Sequence, residues 1–599
     1  MTEVFQIDQL QKDDLAIQIG LRWHEYDSAR QEWKDQKKEL REYIVALDTR
    51  KTSNSSLPWR HTTTIPKLTQ IRDNLHAQYM AALFPNDDWL RWEAHSKDGL
   101  NKDIRVAIQF YMKSKVRRGD FKKTVSALVY DYIDFGNIFA SVDYVRDVRP
   151  TDEKDPDSLP QILYQGPRLV RVSPYDVVFD PNSSNFEQGW YIRRELKTLG
   201  DLKKDISKLT GRPKAAAKKA FERLLSNRGA VRGEWNFTDL DTKAGLQVDG
   251  FGSYSKYLHS DYCEILTFHG DWYNSATDTF QEDRIVTVYD RALVIQNVQN
   301  QSWTGHRGMV HVTWRGRSDS IVGMGPLDNI VGMQYKIDHL ENIKADMFDL
   351  IAMPPIKIKG QVENFSWAPL AEIQLGEDGD VQMLAIDAKA LQAETQIQIL
   401  EQKMEEFAGA PRQAVGQRTP GEKTAFEIQV LEQNSTKMFQ EKTYRFEEHG
   451  LEKILNMMLE VARRNIDGID LIATMDDDFG TKNFISITKA DLSIEGKIVP
   501  IGARHFLQRN LAIQNYIGLR NAIGGDPTVM SHISGIGEAK MFEDLLGLEK
   551  YELVRENVRI EEALASAALQ QEGAQSLQEQ AATPATDMER DVRYGGSNG

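Results

Sequence analysis

The chain has 599 residues, 41% hydrophobic and 27% charged. That soluble balance excludes collagen-like and wholly disordered classes, and the length predicts roughly three to five structural units. Lys and Arg number 74 against 89 Asp and Glu, a net charge of −15. This argues against a nucleic-acid coat protein, which needs surplus cations, but not against a protein that lets DNA pass without gripping it. Cys263 is the only cysteine, so neither an internal disulfide framework nor a Cys-rich zinc site is expected, and a reducing compartment fits. The sequence does not open on a basic stretch followed by an apolar one, and it has no run of about 18 apolar residues. No signal peptide, no membrane span and synthesis in a cytosol are therefore expected.

Residues 8–47 predict a helix, with Leu10, Leu15, Ile19, Trp23, Tyr26, Trp33, Leu40 and Ile44 near helical spacing. After a loop at 51–61, a second helix runs from Pro66 to Phe84, with Leu68, Ile71, Leu75, Tyr79 and Leu83 on one face, stopped by Pro85-Asn86. More helix is expected over 100–135. The period then changes to two: 137–147, 168–180 and 189–196 alternate and are rich in β-branched and aromatic residues, which predicts strands. A Lys/Arg-rich helix is expected over 199–226, and an antiparallel meander over 261–316. The first half is thus an α+β body.

Two helices then bracket a small β insertion. From Pro326 to Met353, Ile330, Met333, Ile337, Leu340, Ile343, Met347 and Leu350 form a narrow apolar stripe. Residues 354–386 predict three short strands, and 387–408 a second helix with Leu391, Ile397, Leu400, Met404 and Phe407. At about 1.5 Å per residue the helices span roughly 30–40 Å and can run side by side with the β piece at their far end. So slender a pair lacks a core of its own, and neighbouring copies in a ring or bundle would complete it. A loop at 409–421 follows, then a long helix over 421–465 whose start, Thr419-Pro420-Gly421-Glu422, fits a capping box. Strands at 469–475, 483–488 and 491–498 and helices at 502–523 and 537–570 come next. The Gln/Ala/Gly-rich end is expected to fray.

Candidate chemistry is sparse. Gly416 to Thr424 resembles a phosphate-binding loop, but Glu422 separates the glycine from Lys423 and puts a carboxylate where phosphate would lie, so the capping reading is preferred. Asp478-Phe479-Gly480 copies a kinase tripeptide without its companion motifs, and Asp476 to Asp478 read as a solvated turn. The histidines have no metal-ligand spacing, and Cys263 sits in a strand-like run where a packed thiol is the preferred reading. No catalytic constellation, cofactor or metal is expected. Two basic clusters, Lys113 to Lys123 and Lys203 to Arg223, read first as solvated helix faces, with contact to packaged DNA or an acidic partner as the alternative. The loop 409–421 carries Arg412 and Arg418 with Gln413 and Gln417 and no acid before Glu422. Placed at a central axis by neighbouring subunits, it would present polar and positive groups to a phosphate backbone.

The order of α+β body, helix, small β tip, helix, loop, very long helix and terminal helices resembles the portal protein of tailed bacteriophages, most closely of the short-tailed kind. The strings Ile65-Pro66-Lys67-Leu68, Ser173-Pro174-Tyr175-Asp176, Gly323-Met324-Gly325-Pro326-Leu327-Asp328, Pro354-Pro355 and Gly409-Ala410-Pro411-Arg412 carry the likeness.

The resemblance implies a portal-like α+β fold: a wing over 1–325 and 422–515, a stem over 326–353 and 387–408, a clip over 354–386, a tunnel loop over 409–421, a crown over 516–575 and a tail over 576–599. It implies a homo-oligomeric ring of twelve subunits at one capsid vertex of the virion, made in the host bacterial cytoplasm. Double-stranded DNA would pass through it during packaging and ejection. Partners would be the terminase motor, head-to-tail adaptor and tail proteins, and the major capsid protein, without a membrane. The implied residues are Arg412, Gln413, Gln417 and Arg418 at the DNA channel and Lys357, Lys359, Glu363 and Trp367 on the clip. Stem packing would fall to Ile330, Met333, Ile337, Leu340, Met347, Leu400 and Met404. Such a conduit is not an enzyme, because a separate terminase hydrolyses ATP. Two other classes stay open from the residues alone: a scaffold or inner capsid protein without a DNA path, and a nucleic-acid-dependent ATPase with a degenerate loop at 416–424.

Overall fold

The computed structural model describes residues 13–85, 89–95, 102–149, 161–208 except 184, most of 215–225, 262–274, 278–363 except 304 and 319, 374–384 except 377, 393–409, 438–466, 469–475 and 482–501, with 516 and 537–541. The chain divides into two units, Met1–Ala503 and Arg504–Gly599. The second lies almost wholly outside the described residues, and with it the terminal helices and tail.

The expected first helix is two helices, α1 (Asp14–Ala29) and α2 (Gln31–Val45). No Pro or Gly marks the break. Its cause is tertiary: the Arg30 guanidinium donates to the carbonyls of Pro174 (2.9 Å), Val177 (2.6 Å) and Tyr175 (2.6 Å), and to Asp27. The backbone at Arg30 leaves the helical region to reach them (φ −98°, ψ 16°). Helix α3 (Lys67–Leu83) follows the predicted stripe, with Leu68, Ile71, Leu75, Tyr79 and Leu83 all buried. The helix expected over 100–135 is split into α4 (Lys102–Arg118) and α5 (Phe121–Asp134) by Gly119 and by Asp120, which takes a left-handed conformation at φ 54°.

Strands β2 (Asn137–Arg149), β3 (Gln161–Val172) and β9 (Met309–Thr313) form an antiparallel sheet in the order β3-β2-β9. A second antiparallel sheet runs β4 (Val177–Phe179), β5 (Tyr191–Thr198), β6 (Tyr262–Asn274), β7 (Thr279–Tyr289), β8 (Leu293–Gln299). The expected meander therefore holds through β8, but its last segment, β9, leaves for the other sheet and pairs with β2. The expected strand at 168–180 is likewise two strands, broken by a 3-10 turn at Pro174–Asp176 where Ser173 Oγ accepts from the Tyr175 amide (3.3 Å).

Period-two alternation in β6 assigns its faces. Leu266 and Phe268 pack under Ala16, Ile19 and Trp23 of α1, while Cys263 and Ile265 pack with Leu202 of α6 (Leu199–Lys208) on the other face. The lone thiol is thus a buried core group, as expected. The main core lies elsewhere. It joins α2 to α5, β2 and β9 to the helical run 438–446, the π turn Glu447–Leu451 and α9 (Glu452–Asn465).

Residues 469–500 also depart from expectation. Strands β14 (Ile469–Met475) and β15 (Lys482–Thr488) pair as a hairpin. The segment read as a third strand opens instead on a short helix, α10 (Lys489–Leu492), capped reciprocally by Thr488 and Asp491. Strand β16 (Gly496–Pro500) then pairs with β1 (Leu90–Ala94), some four hundred residues upstream.

Buried ion pairs fasten these pieces. Arg171 grips Asp131 with two hydrogen bonds (2.5 and 2.6 Å), and Arg72 grips Asp134 likewise (2.7 Å each). Asp131 is nearly fully buried, so its removal strands a guanidinium. We expect Asp131→Ala to lower unfolding free energy by about 2–3 kcal/mol in urea titration, because the Arg171 side chain is 30% exposed and regains some water. A loss under about 1 kcal/mol would mean that the pair is incidental to the body.

Candidate functional site

The helical hairpin comprises α7 (Val331–Ala352) and α8 (Ala393–Ala408). The start of α7 and the end of α8 are buried in the main core through Ile330, Ile337, Ile397, Met404 and Ala408, with Met333, Leu340 and Leu400 packed against it. Burial then fades along α7: Met347 is half-buried, and every residue from Phe348 to Met353 is exposed. The apolar stripe read from the sequence is therefore covered in its first half by the chain's own body, and only its far half lacks a cover.

What holds the base is polar. Gln334, Asp338, Asn342 and Asp346 recur every four residues along α7 and face the extended backbone of residues 60–66 and the first turn of α3. Asp346 accepts from the amides of Arg60 (3.1 Å) and His61 (3.0 Å). Asn342 accepts from the Thr63 amide and donates to the Thr63 carbonyl (2.9 Å each). Asp338 Oδ1 accepts from the Ile65 amide (3.0 Å). Gln334 donates to the Ile65 carbonyl (2.5 Å) and accepts from the Leu68 amide (3.2 Å). Four helical residues rise about 6 Å and two extended residues about 6.6 Å, so successive side chains meet successive outward amides.

Two buried lysines clamp the hairpin's feet. Lys37 Nζ bonds Asp328 in the turn before α7, and Lys67 Nζ bonds Glu405 near the end of α8 at 2.6 Å. Midway along, Lys344 bridges Glu341 (2.6 Å) on its own helix and Glu394 (2.8 Å) on α8.

Between the helices, β10 (Ile356–Lys359) pairs with β13 (Asp380–Met383), and β11 (Val362–Glu363) with β12 (Gln374–Leu375). Among its described residues the insertion thus has four strands in two nested pairs, where three were expected. Lys357, Ile358 and Lys359 are exposed, as are Gln382 and Met383, so both faces of the outer pair meet solvent. Glu363 lies in β11. Trp367 and the loop residues Arg412, Gln413, Gln417 and Arg418 lie outside the described residues, as do the loop-like string 416–424 and the start of the long helix.

Sequence reasoning missed the four-rung polar ladder and the two lysine clamps. A signal for the ladder was present, namely amide- and carboxylate-bearing residues at strict four-residue steps beside an apolar stripe. The basic cluster at 113–123 is not wholly a solvated face either: Lys115 turns inward to Asp470 and the Gln165 carbonyl (2.6 Å each).

Among the described residues, no helix is long and apolar enough to cross a membrane, and no group of three or more His, Cys, Asp or Glu is placed to hold a metal ion. Neither a scan of family models nor a search of curated proteins returns a match to this chain.

Asp338 gives the ladder a pH signature. Burial pushes its carboxyl up to about 7, against the lowering hydrogen bonds from Ile65 and Gln334, and its Oδ2 is buried without a partner. A carboxyl raised above its unfolded value leaves the fold unpenalised at acid pH. It withdraws stability as pH rises from about 4 to about 7, by about 4 kcal/mol in all. Asp338→Asn, which keeps the shape and the Oδ1 acceptor, is expected to match the parent near pH 4 and exceed it in melting temperature at pH 8. Parallel pH–stability curves for the two proteins would show that Asp338 ionises freely.

Proposed function

We propose that this chain is a portal protein of the tailed-bacteriophage type, a subunit of a ring through which double-stranded DNA enters and leaves a capsid. One observation carries the reading: a helical hairpin bolted at its base into an α+β body, bare at its far end and tipped by a small sheet. Phe348 and Met353 of this end are 53% and 71% exposed, with Leu350, Ile351, Ile358 and Met383 also open. So much contiguous apolar surface is expensive in water for a lone subunit. Sibling copies standing side by side around an axis cover it, each presenting one flank to the next in a closed head-to-tail ring.

In this reading the body is the wing, α7 and α8 are the stem, and the four short strands are the clip. Exposed Lys357 and Lys359 on the clip offer cations to acidic surfaces of the terminase or of an adaptor. The acidic balance of the chain, repeated around a channel, repels phosphate and lets duplex DNA slide. Arg412 and Arg418 supply weak contacts from the tunnel loop. The chain acts as a conduit, and the work of translocation belongs to the motor docked on it.

Phe348→Glu together with Met353→Glu is expected to leave the body folded and abolish the ring. Native mass measurement and axial views of the particle read this directly: a parent ring with an open channel of duplex width, and a monomeric variant. A parent chain that is monomeric, or closed on its axis, would sink the reading. Arg412→Glu with Arg418→Glu is expected to preserve rings but impair DNA packaging or retention; normal packaging would remove the loop's role.

A further inference from the structure

Beside the π turn Glu447–Leu451, the helical run 438–465 borders a polar cleft of about 270 Å3 whose other walls are the residue 185–187 turn, β9 and the bend after it. In a chain of net charge −15, this cleft gathers basic side chains. Arg445, His449 and Lys453 line it at four-residue steps along the helix, and Arg317 faces them from the bend. Among the described lining residues the only acid is Glu187, which bonds Lys453.

One of the cleft's ion pairs is loose. Arg445 Nε stands 3.7 Å from Glu441, whose side chain is 51% exposed, a loose surface pair of small worth. Gly316 opens the way for the Arg445 fork: a Cβ there would lie 3.1 Å from its Nη1. At the floor, the His311 ring lies between Phe139 and Phe186, with Nε2 3.2 Å from Asn137 Oδ1. Burial first, and then the Lys453 charge, push it down to about 3, so the floor stays neutral and the cations sit at the rim. Two planar guanidiniums beside one ammonium group suit a tetrahedral dianion, and π turns recur at functional sites.

We propose that this cleft binds a phosphate group. The site does not depend on the ring reading, because one subunit carries all of the lining residues. The phosphate can be free, as inorganic phosphate, or belong to a nucleic-acid backbone, and the test separates the two.

The full chain is titrated calorimetrically with inorganic phosphate against chloride at matched ionic strength, and by fluorescence anisotropy with a labelled short DNA duplex. Arg445→Gln with Lys453→Gln is expected to weaken phosphate binding at least tenfold, while Lys51→Gln, on an exposed turn elsewhere, leaves it unchanged. Arg317→Gln, on an exposed bend where folding is not at stake, should weaken it several-fold. Arg445→Lys should recover part of what Arg445→Gln loses. If the backbone is the source, the double variant also weakens duplex binding and flattens its salt dependence, by about 0.9 per lost phosphate contact. Lost phosphate binding with unchanged duplex binding supports the site and assigns it to the free anion. No phosphate binding by the parent chain, or equal binding by parent and double variant, overturns the proposal.

Discussion

The structure turns on a match of two rises. A helix advancing four residues and an extended chain advancing two cover nearly the same distance, so the side chains of Asp338, Asn342 and Asp346 can serve the amides of residues 60–65 as a neighbouring strand would, while Gln334 takes the Ile65 carbonyl and the Leu68 amide in the first turn of α3. Backbone polar groups near a core need partners, and this segment, between α2 and α3, finds most of its partners on one face of α7. The arrangement is directional: the index rises along α7 as it falls along the extended segment. A slip of one residue on either side would take the rungs out of register with the amides. The ladder thereby fixes both the rotation and the axial position of the hairpin's base.

A base so fixed explains the gradient of burial along the hairpin. Polar rungs on one side and Ile330, Ile337 and Met404 on the other consume the proximal half of α7 and the end of α8. Beyond Met347 the residues that continue the stripe, Phe348, Leu350 and Ile351, stand open. Rigidity at one end and incompleteness at the other are complementary. A mobile base would let the open end fold back onto the body, whereas a fixed base keeps it exposed.

Much of this was legible in the sequence, and the failures have physical causes. The stripe from Ile330 to Leu350, the double proline that ends it and the alternating runs at 137–147 and 189–196 are local patterns, and each produced the expected element, whereas the run at 168–180 is broken by the turn at Pro174–Asp176. The break at Arg30 was not legible, because its cause is three carbonyls nearly 150 residues away. The departure of β9 to the β2 sheet and the pairing of β1 with β16 are long-range choices that an alternating run cannot specify. Lys115 misled in another way. It belongs by sequence to a basic run, yet packs its stem inside and spends its charge on Asp470. For the candidate site, the hydrophobic packing of the stem was readable, but its polar anchoring was not. Rungs such as Asn342 look like ordinary exposed-face residues until the partner strand is known.

The buried lysines sharpen the argument about what the hairpin can transmit. Lys37 reaches Asp328, Lys67 reaches Glu405 and Lys115 reaches Asp470, each joining the N-terminal helices to a segment hundreds of residues later and in the same order along the chain. Buried pairs of this kind add little net stability, because desolvation offsets attraction. Breaking one is costly, however, and the geometry they impose is specific. The first two sit at the two feet of the hairpin, one before α7 and one near the end of α8. The foot of the hairpin is therefore joined to the body by two charged contacts as well as by the apolar packing of Ile330, Ile337, Ile397 and Met404. Rotation of the hairpin must load one clamp against the other, and the ladder between them opposes sliding. Clamps and ladder together tie the foot of the hairpin to α2, to α3 and to the extended segment between them.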